Sequence, residues 1–223
     1  DGVVFSWTVE PFVSYNNLTA NRCGIPTDEE SSTKIRLIVL SDAAEEAGGA
    51  AVYAGRRLES GFWSCKLVAA KSKMMKYTVP RNELSAILLA TELAFLVKKA
   101  LGERVGEILY VTDSTIALSW CHNTVRKLRA FIFARVESIR RMIQWTTEKD
   151  EIPLYHVDGT KNLADLLTKR HDIQIDQVSI GSPWQEGEPW MKLNLKDMNL
   201  VSYDMLSIDK KAQDEIQTEC FSE

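Results

Sequence analysis

Apolar residues are spaced in two ways along this chain, and the change from one to the other marks out its elements. "KIRLIVLSD" (34–42), "GAAVYAGRRL" (49–58) and "GFWSCKLVAAKSKM" (61–74) are short apolar runs rich in β-branched residues, joined by Gly- and Ser-containing connections. That pattern predicts an antiparallel meander of three strands. "VPRNELSAILLATELAFLVKKALG" (79–102) then predicts a buried helix: Pro80 suits its first turn, Lys98 and Lys99 sit near its C-terminal end, and Gly102 closes it. "EILYVTDS" (107–114) predicts a fourth strand, "TIALSWCHN" a short helix, and residues 125–145 a longer amphipathic one. In the longer helix Leu128, Phe131, Ile132, Val136, Ile139 and Ile143 recur at three- and four-residue steps. "IPLYHVDG" (152–159) predicts a fifth strand, and "TKNLADLLTKR" a helix bearing Asp165. The order β-β-β-α-β-α-β-α predicts an α/β class: a mixed five-stranded sheet, three antiparallel strands then two parallel, flanked by helices.

The flanks read differently. Residues 1–33 end in "GIPTDEESS" and predict a linker or connection segment. Residues 172–223 contain "GSPWQEGEPWMK" followed by a polar, acidic stretch, and predict an acidic linker or partly disordered tail. The expected division is therefore 1–33, a central domain at 34–171, and 172–223. A chain of 223 residues with 45% hydrophobic content can bury one sizeable core.

The formal net charge of −4 conceals a segregation. Residues 34–171 hold 22 Lys and Arg against 15 Asp and Glu, whereas the flanks hold 5 against 16. An excess of positive charge at the centre is compatible with a polyanionic substrate, and equally with an ordinary solvated surface. No apolar run reaches the roughly 18 residues of a membrane span, and no signal-peptide pattern is present, so the expectation is a soluble, intracellular protein. Cys23, Cys65, Cys121 and Cys220 show neither metal-ligand nor disulfide-framework spacing. The first residue is Asp1, which suggests a piece of a longer polypeptide.

Four acids fall at the ends of predicted elements: Asp42 ends strand one, Glu83 lies in the first turn of the buried helix, Asp113 ends strand four, and Asp165 sits on the last helix. Singly, each could be a turn residue, a cap or a surface acid. Jointly they carry more, because strands one and four can lie adjacent and parallel with the Glu83 helix as crossover, which brings Asp42 and Asp113 out at one edge. Carboxylates gathered without arginines repel unless divalent cations bind them. Hard oxygen donors favour magnesium or manganese, and a pair of such ions suits phosphodiester hydrolysis.

"LSDAAEEAGGAAVY", "TVPRNELSAILLA", "YVTDSTIALSW" and "YHVDGTKNLADLLTKR" resemble the ribonuclease H domain in polyproteins of long-terminal-repeat retrotransposons, most closely the Bel/Pao type. The resemblance covers roughly residues 34–171, and "SPWQEGEPWM" is similar to the tryptophan-containing segment that follows that domain. It implies a ribonuclease H-like fold and a two-metal-ion endonuclease that cuts the RNA strand of RNA–DNA hybrids during reverse transcription. Asp42, Glu83, Asp113 and Asp165 are then both the catalytic residues and the ligands of two Mg2+ ions, with Mn2+ an alternative. By the same resemblance Asp42 bridges both ions, Asp165 serves the water-activating one, and Glu83 with Asp113 serves the one at the leaving oxygen. The implied partners are an RNA–DNA hybrid and an adjoining reverse transcriptase domain in the same polyprotein, with no membrane. The implied location is the cytoplasm, in a virus-like particle. Gly48, Gly49, Asp158 and Leu163 depart from residues common in the family, and His156, His122 and His171 carry no site. A catalytically inactive copy of the fold, serving as a connection or partner-binding module, is the alternative.

Overall fold

The computed structural model describes residues 34–125, 127–149, 151–169 and 173–220; the predicted linker at 1–33 lies outside them. Strand β1 (Ile35–Ala43) is buried on both faces through Leu40, so its unbroken apolar run marks a central strand. It pairs antiparallel with β2 (Ala47–Arg57), which pairs antiparallel with β3 (Trp63–Met74). On its other side β1 pairs parallel with β4 (Val105–Thr112), which pairs parallel with β5 (Leu154–His156). The order β3-β2-β1-β4-β5 is the expected mixed five-stranded sheet.

Helix α1 (Val79–Leu101) has Pro80 in its first turn, Lys98 and Lys99 in its last, and Gly102 at its C-cap with φ +61°. It forms the crossover from β3 to β4. Helix α2 (Thr115–His122) is capped by Ser114, whose hydroxyl accepts from Ala117 N–H. Helix α3 (Ala130–Thr147) starts five residues later than its apolar spacing predicts. Residues 127–129 are instead drawn into contact with the C-terminal segment: Arg129 N–H donates to the Glu219 carbonyl at 2.8 Å, and Leu128 bridges to Cys220. Tertiary pairing here overrides local helical spacing.

Successive residues of β1 feed two cores. Leu37 and Val39 pack with Leu84, Ile87, Trp120, Ile132 and Ile139 under the three helices. Ile38 and Leu40 face the other way, and that face is covered by Val157 and Ala164 together with Trp184, Trp190, Met191 and Met198. The segment expected as a linker or partly disordered tail packs on the domain over residues 173–220. Single helical turns at Ile175–Val178 and Pro183–Glu186, 3-10 turns after them, and helix α4 (Lys210–Thr218) lie on the domain. Tyr53 Oη–H donates to the Trp184 carbonyl at 2.9 Å, and Arg36 Nη1 donates to the Leu193 carbonyl at 2.9 Å. Residues 173–220 supply the apolar cover that the second face of a two-sided sheet requires. Among the described residues no helix is long and apolar enough to cross a membrane.

Candidate active site

The acidic edge begins at the end of β1. Ser41 is level with Thr112 of the parallel strand β4, so Asp42 and Asp113, one residue further on, leave the same edge of the sheet. Asp42 lies opposite Gly49 of β2. Gly48 and Gly49 are both within that strand, which starts two residues before the predicted residue 49, and neither has a positive φ. Their role is close approach. A Cβ on Gly49 would fall 2.3 Å from Leu167 Cβ, and one on Gly48 would fall 2.4 Å from Met75 Cε. Leu167 ends the 3-10 turn Leu163–Leu167 that carries Asp165, so the bare backbone of Gly49 lets this turn close on the sheet. The predicted helix over 160–170 is corrected to two short 3-10 turns, Gly159–Lys161 and Leu163–Leu167.

Each of the first three acids has its own tether. Thr168 Oγ1–H donates to Asp42 Oδ2 at 2.6 Å. Asn162 Nδ2 donates to Asp113 Oδ1 at 3.2 Å and to the Ser41 carbonyl at 2.9 Å, while its own Oδ1 accepts from Ala164 N–H at 3.2 Å. One buried amide thereby joins β1, Asp113 and the turn bearing Asp165. The Ser114 hydroxyl donates to Glu83 Oε2. Glu83 lies one turn into α1 rather than in its first turn, which contains no acid. Its place is set by the fully buried Asn82, whose Nδ2 donates to the carbonyls of Ala44 (3.0 Å) and Glu45 (2.9 Å) and pins the start of α1 to the β1–β2 turn. Gly159 backs Asp113, and a Cβ there would sit 2.9 Å from Asp113 Oδ2. Asp165 pairs with Lys169 across 2.5 Å.

The carboxyl groups sense one another. Burial pushes Asp42 up to about 6, opposed by its Thr168 hydrogen bond and reinforced by the charges of Asp113 and Asp165. Burial likewise pushes Glu83 up to about 7, with Asp113, Asp42 and Glu215 of α4 adding to it. Asp113 is raised by burial and by Asp165, against hydrogen bonds and the charge of His156. The four sequence-predicted acids are thus brought into one electrostatic neighbourhood. They do not form a closed ligand shell: among the described residues no group of three or more His, Cys, Asp or Glu is placed to hold a metal ion. As a donor set they suit a hard divalent cation, being carboxylate oxygens of one sign, and Lys169 pairs with Asp165 alone among the four across the described residues.

His156 ends β5 and pairs through its backbone with Val201, and His122 stacks on Tyr203 at 4.9 Å. His171 lies outside the described residues, and Cys65, Cys121 and Cys220 are buried free thiols. Sequence reading missed Asn82, Ser114, Asn162 and Thr168. Each stands next to, or three residues from, one of the acids, and a small polar side chain at such an element end is the only signal it gives.

Residues 8–114 match the family described as the Pao retrotransposon-like RNaseH-like domain. That span contains Asp42, Glu83 and Asp113, stops short of Asp165, and begins inside the stretch that reads as a linker. A search of curated proteins finds no match. Similar solved structures include RNase H1 from the halophilic archaeon Halobacterium salinarum, 18% identical, covering 60% of this chain and 93% of that one with a TM-score of 0.40. LC11-RNase H1 in complex with an RNA/DNA hybrid is 17% identical, with 60% and 93% covered and a TM-score of 0.41. The N-terminal RNase H domain of a Mycobacterium tuberculosis protein is 13% identical, with 60% and 91% covered and a TM-score of 0.41.

Proposed function

We propose, from the premise that this chain carries a Pao retrotransposon-like RNaseH-like domain, that it is a metal-dependent ribonuclease H acting on the RNA strand of an RNA–DNA hybrid. The observation that carries the reading is the gathering of Asp42, Glu83, Asp113 and Asp165 at one edge, three of them raised by burial and by one another. These four would hold two magnesium or manganese ions, which supply charge neutralisation and activation of water at a phosphodiester. Thr168, Ser114 and Asn162 orient Asp42, Glu83 and Asp113 before any substrate arrives. With Glu83 near 7, its carboxyl keeps a proton over much of the neutral range and must release it to act as a ligand. Lys169 holds Asp165 and must give it up, or share it, on the same occasion. In this reading the product carries a 5′-phosphate and a 3′-hydroxyl, and the chain works beside a reverse transcriptase domain of one polyprotein, in a cytoplasmic virus-like particle. Residues 34–171 are the catalytic unit, and the segment after it is its cover.

A second reading, an inactive module that connects or binds partners, is favoured by one observation: Asp165 is paired with Lys169. Incubating the chain with a labelled RNA–DNA hybrid and magnesium separates the two. Cleavage that is lost in Asp113→Asn supports the nuclease; no cleavage by the chain, alone or within its parent polypeptide, supports the inactive module.

A further inference from the structure

Helix α4 and the residues after it close over the Glu83 side of the acidic edge with a narrow apolar grip. The apolar stripe is Ala212, Ile216 and Cys220, at four-residue steps, and the rest of residues 209–220 is polar. That stretch holds Asp209, Asp214, Glu215 and Glu219 against Lys210 and Lys211. Two of these acids lie against the site. The charge of Glu215 adds to the burial that raises Glu83. Arg81, two residues before Glu83, places its Nε and Nη2 each 2.7 Å from Glu219 Oε1.

The surface under the segment is basic. The Arg81 and Arg135 guanidiniums lie 5.0 Å and 3.4 Å from the centre of the Phe131 ring, and Arg135 Nε donates to Ser85 Oγ of α1 at 3.0 Å. Lys127 and Arg129 are exposed on either side of Leu128, the residue that faces Cys220. A nucleic-acid duplex bears a phosphate on each strand roughly every 3.4 Å along its axis, so one with a bond among the four acids lays further phosphates on the surface around them. On the Glu83 side the cations that would meet those phosphates include Arg81, Lys127 and Arg129, and an acidic segment holds that ground. Its hold is imperfect. Glu219 Oε2 is buried without a hydrogen-bond partner among the described residues, a cost that release removes once a phosphate takes Arg81 instead.

We infer that residues 209–220 are an autoinhibitory clasp that holds Arg81 and covers residues 127–129 until an RNA–DNA hybrid displaces it. The inference rests on the ribonuclease H reading for its ligand, and adds to it a segment that competes with that ligand for the same cations. Leu128 and Cys220 form a non-hydrogen-bonded antiparallel pair, the more closely spaced kind, since the bond beside them runs from Arg129 N–H to the Glu219 carbonyl. Leu128→Cys therefore offers Cys220 a disulfide that locks the clasp shut. The full chain with this substitution is treated with oxidised glutathione, and the 128–220 link is confirmed by peptide mass spectrometry. Hybrid binding is then read by fluorescence anisotropy with magnesium chelated. A second variant, Ile216→Ser, loosens the clasp with no change of charge. Apparent affinity is the intrinsic affinity scaled by the open fraction, so a clasp open one time in ten holds binding about tenfold below its limit. The locked protein is expected to bind at least about tenfold more weakly than the same protein reduced with dithiothreitol, and Ile216→Ser up to about tenfold more tightly than wild type. Leu128→Cys combined with Cys220→Ser should not respond to the oxidant. Equal binding by the locked and reduced forms, or an oxidant response that persists without Cys220, overturns the clasp. Cleavage with magnesium is scored separately. Binding that follows the lock without any cleavage overturns the nuclease reading and keeps the clasp, whereas cleavage and binding that ignore the lock do the reverse. If no form binds or cuts, both fall.

Discussion

Replacing Glu83 by Gln should stabilise the metal-free protein at alkaline pH, the reverse of the usual effect of changing a buried, hydrogen-bonded residue. The Glu83 carboxyl is raised from its ordinary 4.5 to about 7, first by burial and then by Asp113, Asp42 and Glu215. Between those values the folded protein keeps a proton that the unfolded chain has released. The stabilisation from this group is therefore complete below pH 4.5 and lost as pH rises through 7. At about 1.36 kcal/mol per pH unit the loss comes to roughly 3 kcal/mol or slightly more, and Asp42, raised from 3.8 to about 6, acts in the same direction over its own window. Glutamine removes the charge and leaves an oxygen to accept from the Ser114 hydroxyl. We expect Glu83→Gln to gain about 2 kcal/mol over wild type at pH 8 and to differ little at pH 4, read from urea unfolding followed by tryptophan fluorescence in a chelator. Magnesium should return to wild type much of what alkaline pH removes, and return less to the variant. If Glu83→Gln destabilised the protein equally at both pH values, the strained, charge-coupled edge described here would not exist.

Gly49→Ala should cost about 1–3 kcal/mol of stability, because its Cβ would displace Leu167 and with it the turn holding Asp165; an unchanged unfolding midpoint would count against that close approach. Trp184→Ala should cost about 3–5 kcal/mol in the same assay, since its ring fills the second core; a loss below 1 kcal/mol would mean the C-terminal segment is not part of the packed fold. Binding of an RNA–DNA hybrid should be weak and fall steeply between low and physiological salt, as the surplus of basic residues in 34–171 requires; salt-independent binding would refute an electrostatic grip.

The strands and the first helix could be read from the chain because their signals are local. β1 is an unbroken apolar run, and α1 has proline, lysines and glycine at the positions that start and stop a helix. Asp42 and Asp113 could be placed for the same reason, since Asp42 lies in the last residues of β1 and Asp113 directly follows β4. What stayed hidden is long-range. The start of α3 is set by Glu219 and Cys220, some ninety residues away. Trp184, Trp190, Met191 and Met198 are isolated among Pro, Gly and acidic residues with no helical or strand period, so their burial against the sheet has no signature in their own neighbourhood. Asn162 organises the site through three hydrogen bonds that no spacing rule anticipates. Gly48 and Gly49, read as a departure from the family, are explained by Met75 and Leu167, which fill the space a side chain would take.

The most direct measurement is cleavage of a 5′-labelled RNA–DNA hybrid by the purified chain with magnesium, alongside Asp113→Asn and a magnesium-free control. The proposed function predicts shortened RNA ending in 3′-hydroxyls, an intact DNA strand, and no product from either control. Full-length RNA from the wild-type chain, or product that persists in Asp113→Asn, would contradict it.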